Sequence, residues 1–170
     1  MDIHVNSSAL LTWTDLLGIE HKVPCALGYG GIDIKKQEGD GITPVGTFSL
    51  LNVMVRSDRL ALPKTNLNIS TISEDDGWCD DPYSPDYNQP IKLPQNVSHE
   101  KLYRDDSLYD IVVDVSYNRK TPISGKGSAI FIHVVLPDYK STKGCIGLIT
   151  DDLLELLKSC NSNTRLVISP

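Results

Sequence analysis

Several features that would assign a chain to a class at once are missing from this sequence. No stretch approaches the roughly 18 to 20 consecutive apolar residues that a membrane-spanning helix needs, so no integral membrane segment is expected. Basic residues form no runs and the net charge is −6, which argues against a nucleic-acid binder held by phosphate contacts. The N-terminus, "MDIHVNSSALLTWTDLLG", has neither the basic start nor the unbroken apolar stretch of a secretory signal. Two locations follow: the cytoplasm, or the periplasm and cell envelope if a leader has been removed. There is no Cys-x-x-Cys pair. Cys25, Cys79, Cys145 and Cys160 can form two disulfides at most, and a chain of 170 residues does not need them to build a core. His21 and Cys25 are the one close His/Cys pair and have no second pair at ligand spacing, so no metal site is expected.

What is present is ordinary for a soluble domain with a real core: 40% hydrophobic and 22% charged residues. No repeat, low-complexity tract or boundary divides the chain, so residues 1–170 are expected to form a single domain. "DIHV" and "HKVPCALG" read as strands, with "NSS" and "TWTDLLGIE" between them. "ITPVGTFSLLNVMV" reads as a strand leaving a tight turn, and "EGDG" (38–41) as a hairpin turn. "SLYDIVVDVSYN" (107–118) alternates as a strand does, and "SAIFIHVVL" (128–136) is a nearly continuous apolar strand, which implies burial on both faces. "TDDLLELLK" is the clearest helix, with Thr150 or Asp151 as its cap, and "TRLVIS" is a last strand. The stretch 63–100, rich in Pro, Asn, Asp and Ser, has few runs that favour a regular element. It reads as an ordered insertion packed down by Trp78, Tyr83, Tyr87 and Tyr103. The expected fold is mainly β: a β-sandwich of mixed sheets with one or two short helices and a long ordered insertion.

Chemistry concentrates in "HVVLPDYKSTKGCIGL" (133–148). A thiol attacks a carbonyl as thiolate and needs a base or positive surroundings to become one. His133, ending a buried strand, is placed to be that base, and Cys145, in a glycine-flanked turn just before the helix, to be the nucleophile. Gly144 permits a sharp turn that aims the amides of residues 144–146 at a developing oxyanion. Thr142 and Lys143 add a hydroxyl and a positive charge. The plainer alternative is an inert buried thiol beside a structural histidine.

The stretch resembles the signature of the L,D-transpeptidase (YkuD-type) family: a histidine after an apolar strand, then Ser/Thr-x-Gly-Cys, here His133 and Thr142-Lys143-Gly144-Cys145. "KKQEGDGITPVGTF" (35–48) resembles the family's Gly-rich segment ending in Thr-Pro-x-Gly-x-Phe. "GWCDDPYSPDYN", "RDDSLYD" and "GSAIFIH" are similar to a compact proteobacterial branch. The resemblance implies a peptidoglycan enzyme in which Cys145 attacks a stem-peptide carbonyl, His133 is the base and the amides around Gly144 hold the oxyanion. A terminal D-amino acid leaves, and an acceptor amine resolves the thioester into a cross-link; no cofactor is required. Where many members have histidine before Gly-Cys, arginine or asparagine soon after it, and glycine after the base, this chain has Lys143, Ile146-Gly147 and Val134. The group that orients His133 and the contacts that choose the acceptor are therefore open.

Other residues carry paired readings. Arg56, like Arg59, either binds a substrate carboxylate or pairs with Asp58. Trp78 caps the site or anchors the insertion. Asp80 receives a substrate ammonium or caps the turn before Pro82. Tyr117 and Asn118 line the cleft or form a turn pair. The functional expectation is an L,D-transpeptidase acting on peptidoglycan stem peptides. An L,D-carboxypeptidase releasing the same thioester to water and a non-catalytic cell-wall-peptide binding module are the alternatives, and oligomeric state is left open.

Overall fold

The computed structural model describes residues 1–170. In chain order the strands are β1 (Asp2–Asn6), β2 (Leu10–Thr14), β3 (Glu20–Pro24), β4 (Ile32–Asp33), β5 (Thr43–Pro44), β6 (Gly46–Val55) and β7 (Ile69–Thr71). They continue as β8 (Asp76–Cys79), β9 (Pro90–Lys92), β10 (His99–Lys101), β11 (Ile111–Val115), β12 (Phe131–Val134) and β13 (Ile146–Leu148). A single helix, α1 (Thr150–Ser159), precedes β14 (Arg165–Ile168). The mainly β expectation holds, with one helix.

Eight strands run β13-β12-β11-β6-β14-β1-β2-β3, and β7 adds to β6, making one mixed nine-stranded sheet. The sheet curls until its two edges meet. Just past β3, Ala26 exchanges backbone hydrogen bonds with Gly147 of β13 at 2.8 and 2.9 Å. Closure leaves no bare edge at this join and brings the first and last thirds of the chain together. The two halves of the sheet face each other across one core built from Ile3, Val5, Leu11, Val113, Ile132 and Leu166, among others. Helix α1 adds Leu153, Leu156 and Leu157 to it.

Alternation along the strands assigns the faces. In β11, Ile111, Val113 and Val115 enter the main core, whereas Val112 belongs to a second cluster on the outer face of the sheet. All five β11 residues are buried because the insertion covers that outer face. The insertion is more regular than its composition suggests: β7 pairs in parallel with β6, and β8, β9 and β10 form a three-stranded antiparallel sheet. Trp78 and Tyr87 are buried as anchors, but Tyr83 is 96% exposed and anchors nothing.

Four local expectations change. Part of "TWTDLLGIE" is strand, because Leu11 and Trp13 alternate into the core. The "EGDG" loop is not a hairpin; it joins β4 and β5, which run parallel. It wraps round Asp40, whose carboxylate accepts the amides of Lys36, Gln37 and Ile42. The N-cap of α1 is Ile149, with no side-chain cap. Finally, β13 intervenes between Cys145 and α1, so the thiol does not sit at the helix start.

Candidate active site

Strand β12 and the residues flanking it read Ile130, Phe131, Ile132, His133, Val134. Ile130, Ile132 and Val134 enter the main core, so Phe131 and His133 project to the outer face. Strand β13 lies parallel beside β12 with Ile132 opposite Ile146 and His133 opposite Gly147. Continued one pair back, the register sets Cys145 beside Phe131, and Cys145 does join the outer cluster with Phe131, Tyr109 and Trp78. The thiol and the imidazole thus share one face, one strand spacing across and two residues along, roughly 8 Å between Cα atoms.

Cys145 is 7% exposed. Its Sγ donates to the Ala129 carbonyl at 3.1 Å and accepts the Phe131 amide at 3.4 Å. Burial, reinforced by the negative charge of Glu100, pushes the thiol pKa up to about 12. The Phe131 amide and the Lys35 ammonium pull the other way. The resting group is therefore a neutral thiol latched on Ala129.

His133 is buried on the same face, and its Nδ1 meets the carbonyl of Val134 at 2.8 Å. A carbonyl only accepts, so this contact places a proton on Nδ1 and makes Nε2 the basic nitrogen of the neutral ring. Burial also lowers the His133 pKa, against the pull of the Val134 and Leu108 carbonyls. The ring is held edge-on by Tyr109, with centroids 5.3 Å apart. The open question of what orients His133 has a local answer: the carbonyl of the next residue, where no glycine is needed.

The turn before Cys145 is tied by Thr142. Its Oγ1 donates to the Cys145 carbonyl at 2.7 Å and accepts the Gly144 amide at 3.1 Å. Gly144 adopts φ +133, and a Cβ there would lie 2.8 Å from the Ile42 carbonyl oxygen. Glycine is therefore required by both conformation and space. The Gly144 amide is occupied by Thr142, whereas the Cys145 amide has no hydrogen-bond partner in the protein. Of these two amides, the Cys145 N–H is the free one.

Most of the other candidates are engaged elsewhere. Arg56 is buried, with Nε and Nη2 each 2.8 Å from Asp58 and Nη1 2.6 Å from the Arg104 carbonyl. Its fork is taken by a protein carboxylate, and its plane lies over the Tyr103 ring. Arg59 is similarly held by Asp110. Trp78 is 1% exposed, packs edge-on against Phe131 at 4.8 Å and donates Nε1 to Asn88. It fastens the insertion beside Cys145. Tyr117 donates to the Lys126 carbonyl, and the Asn118 side chain ties the loop at Ile123 and Gly127, the geometry of the turn-pair reading. Lys143 is exposed. Asp80 follows β8, and its Oδ1 is buried without a partner.

Three groups carried no signal in the sequence. Asn88, fully buried at φ 57, accepts from Trp78 and from the Ala129 amide and donates to the carbonyls of Tyr117 and Asn118. It braces Ala129, itself at φ 51, whose carbonyl holds the thiol. Glu100 accepts the Tyr109 hydroxyl at 2.6 Å. Lys35, also buried, is paired with Asp40 at 2.6 Å. Two surface depressions of about 330 Å³ lie elsewhere, one beside Leu93 and His99 and the other beside Leu50 and Leu67; neither includes Cys145 or His133.

A curled mixed β-sheet with a cysteine and a histidine on its covered outer face is the class that fold and site define together. The model of the L,D-transpeptidase catalytic domain family (YkuD) matches residues 1–168, and the chain belongs to that family. No curated protein matches it. Among solved structures it is similar to an L,D-transpeptidase from Mycobacterium smegmatis, at 15% identity and TM-score 0.47, covering 99% of this chain and 58% of that one. It is also similar to Mycobacterium tuberculosis L,D-transpeptidase 1, at 14% identity and TM-score 0.44, covering 98% and 59%. A further L,D-transpeptidase from Mycobacterium tuberculosis matches at 11% identity and TM-score 0.48, covering 99% and 57%. The chain thus spans less than two thirds of the length of these structures. The family acts on cell-wall peptidoglycan, and no helix of the chain is long and apolar enough to cross a membrane.

Proposed function

We propose that the protein is a cysteine-dependent L,D-transpeptidase of peptidoglycan stem peptides, with residues 1–170 working as one catalytic unit. The observation that carries this is the joint placement, within a chain matched by the family model, of a thiol, a neutral imidazole and a free amide. Cys145 and His133 share the outer face of adjoining strands, and the Cys145 N–H has no partner.

Catalysis begins when the thiol turns from the Ala129 carbonyl toward His133 Nε2. The Sγ proton passes to Nε2 as sulfur bonds to the substrate carbonyl carbon, and the oxyanion forms beside the Cys145 amide. His133 then gives the proton to the departing amine of the terminal D-amino acid, leaving a thioester. An acceptor amine attacks the thioester, the C–S bond breaks, and the proton returns to sulfur. The Val134 carbonyl stabilises the imidazolium through Nδ1 at each stage. Because thiol and imidazole are both neutral at rest, His133 acts as a true general base rather than as half of a preformed ion pair.

The test is incubation with a disaccharide-tetrapeptide and analysis of the products by mass. Cross-linked dimers with free D-alanine support the assignment. Tripeptide and D-alanine without dimers redirect it to an L,D-carboxypeptidase, and binding without turnover to a cell-wall-peptide module.

A further inference from the structure

The outer-face cluster contains an acid that this chemistry has not used. Glu100 lies on β10 directly opposite Trp78 of β8. Paired residues on antiparallel strands project to the same side, so Glu100 turns with Trp78 toward the face that carries Phe131, His133 and Cys145. The Tyr109 ring meets both His133 and Phe131 edge-on, at 5.3 and 6.2 Å, and its hydroxyl reaches Glu100 Oε2 at 2.6 Å. One tyrosine therefore connects the acid to the base and to the residue beside the nucleophile.

The surroundings leave this carboxylate without a counter-ion. Arg104 sits over the Tyr109 ring at 5.1 Å but pairs with Asp106 at 2.6 Å. Lys143 acts on Glu100 from an exposed position, and Asp80 adds like charge. Oε2 is the oxygen Tyr109 binds. Oε1 has no partner in the protein and, unlike Asp80 Oδ1, is not sealed from solvent. A half-buried acid with one oxygen fixed and the other open is a site for a cationic group that comes with the substrate.

We propose that Glu100 is the specificity-determining residue that takes the ammonium group of the acyl acceptor, a role that rests on the acyl-transfer reading above. The acceptor enters as R–NH3+ and gives one proton to the Glu100 carboxylate. The freed nitrogen bonds to the thioester carbonyl carbon as the C–S bond breaks. The second nitrogen proton leaves through His133 to the sulfur, which restores the thiol. While no cation is bound, the Glu100 charge opposes ionisation of Cys145. An arriving ammonium cancels that charge, so the same group that selects the acceptor eases departure of the Cys145 thiolate as the C–S bond breaks.

The experiment uses the full chain. The protein is loaded with a disaccharide-tetrapeptide donor, and the acyl adduct is verified by intact mass. Methylamine, cationic at neutral pH, and hydroxylamine, largely neutral there, are then supplied in competition. The ratio of the two transfer products is set after the thioester has formed and does not depend on the acylation rate. Glu100→Gln keeps an acceptor for Tyr109 and lowers the methylamine-to-hydroxylamine ratio about tenfold. Glu100→Asp keeps the charge on a shorter arm and retains most of the selectivity. A ratio unchanged in Glu100→Gln, or lowered equally in both variants, overturns the proposal. Wild-type protein that forms no acyl adduct overturns the acyl-transfer reading itself, a failure seen one step earlier and so distinguishable.

Discussion

Replacing Asn88 with alanine tests the idea that the insertion governs the face carrying Cys145 through one buried amide. The Asn88 side chain makes four hydrogen bonds: from Trp78 Nε1 at 3.0 Å, from the Ala129 amide at 3.0 Å, and to the carbonyls of Tyr117 and Asn118 at 3.2 and 2.6 Å. Each buried bond contributes about 1 kcal/mol, and its loss leaves a partner unsatisfied. Alanine must also hold the left-handed backbone at φ 57, which costs about 1 kcal/mol more. The sum is a loss of about 5 kcal/mol, as large as the whole stability of a marginal domain. Urea unfolding followed by tryptophan fluorescence reads it directly. Asn88→Gly removes the backbone strain but not the lost bonds, so it recovers only about 1 kcal/mol. In whatever fraction stays folded, the Ala129 carbonyl loses its brace, and alkylation of Cys145 by iodoacetamide speeds up. A destabilisation below about 1 kcal/mol for Asn88→Ala, with alkylation unchanged, refutes the reasoning.

Cys145→Ala abolishes release of D-alanine while leaving a cooperative thermal transition; turnover that survives the substitution removes Cys145 from the chemistry. Gly144→Ala places a Cβ 2.8 Å from the Ile42 carbonyl oxygen at φ +133 and costs about 2 kcal/mol or more; wild-type stability by urea titration contradicts that crowding. Because burial lowers the His133 pKa, the base stays neutral as pH falls, so the acid limb of kcat/KM lies below pH 6.5; a limb above that value contradicts the assignment. Asp114 is buried beside Arg119, and burial raises its pKa from 3.8 to about 6. A carboxyl raised on folding contributes stability that is full below pH 3.8 and is lost as pH rises through about 6, amounting to about 3 kcal/mol. Asp114→Asn flattens the stability profile across that window, and an unchanged slope by urea titration rejects the role.

The parts of the fold legible in the sequence were those with strict periodicity. The leucine helix and the closing "TRLVIS" strand each carry a hydrophobic pattern that one element type satisfies, and each forms; of the continuous 128–136 run, strand covers Phe131–Val134. The insertion was harder to read, since its strands are three or four residues long and are stabilised by contacts with the sheet rather than by their own composition. Arg56 illustrates the same limit at the site. An arginine two residues from an aspartate is consistent with substrate binding or with an ion pair, and only its burial beneath Tyr103 distinguishes the geometries.

By itself the sequence singled out the candidate pair. His133 lies in an apolar strand and Cys145 follows a glycine, and both patterns are local, although the contact with the Ile42 carbonyl that makes Gly144 irreplaceable is not. Tertiary structure decided everything that tunes the pair. The closure at Ala26 and Gly147, the Val134 carbonyl on the imidazole, the Ala129 carbonyl on the thiol and the Glu100 carboxylate beside it arise from strand register and from an insertion folding back across the sheet. Register is a property of pairs of strands far apart in the chain, and a pKa is a property of the whole surrounding dielectric. Neither can be read along one strand of letters.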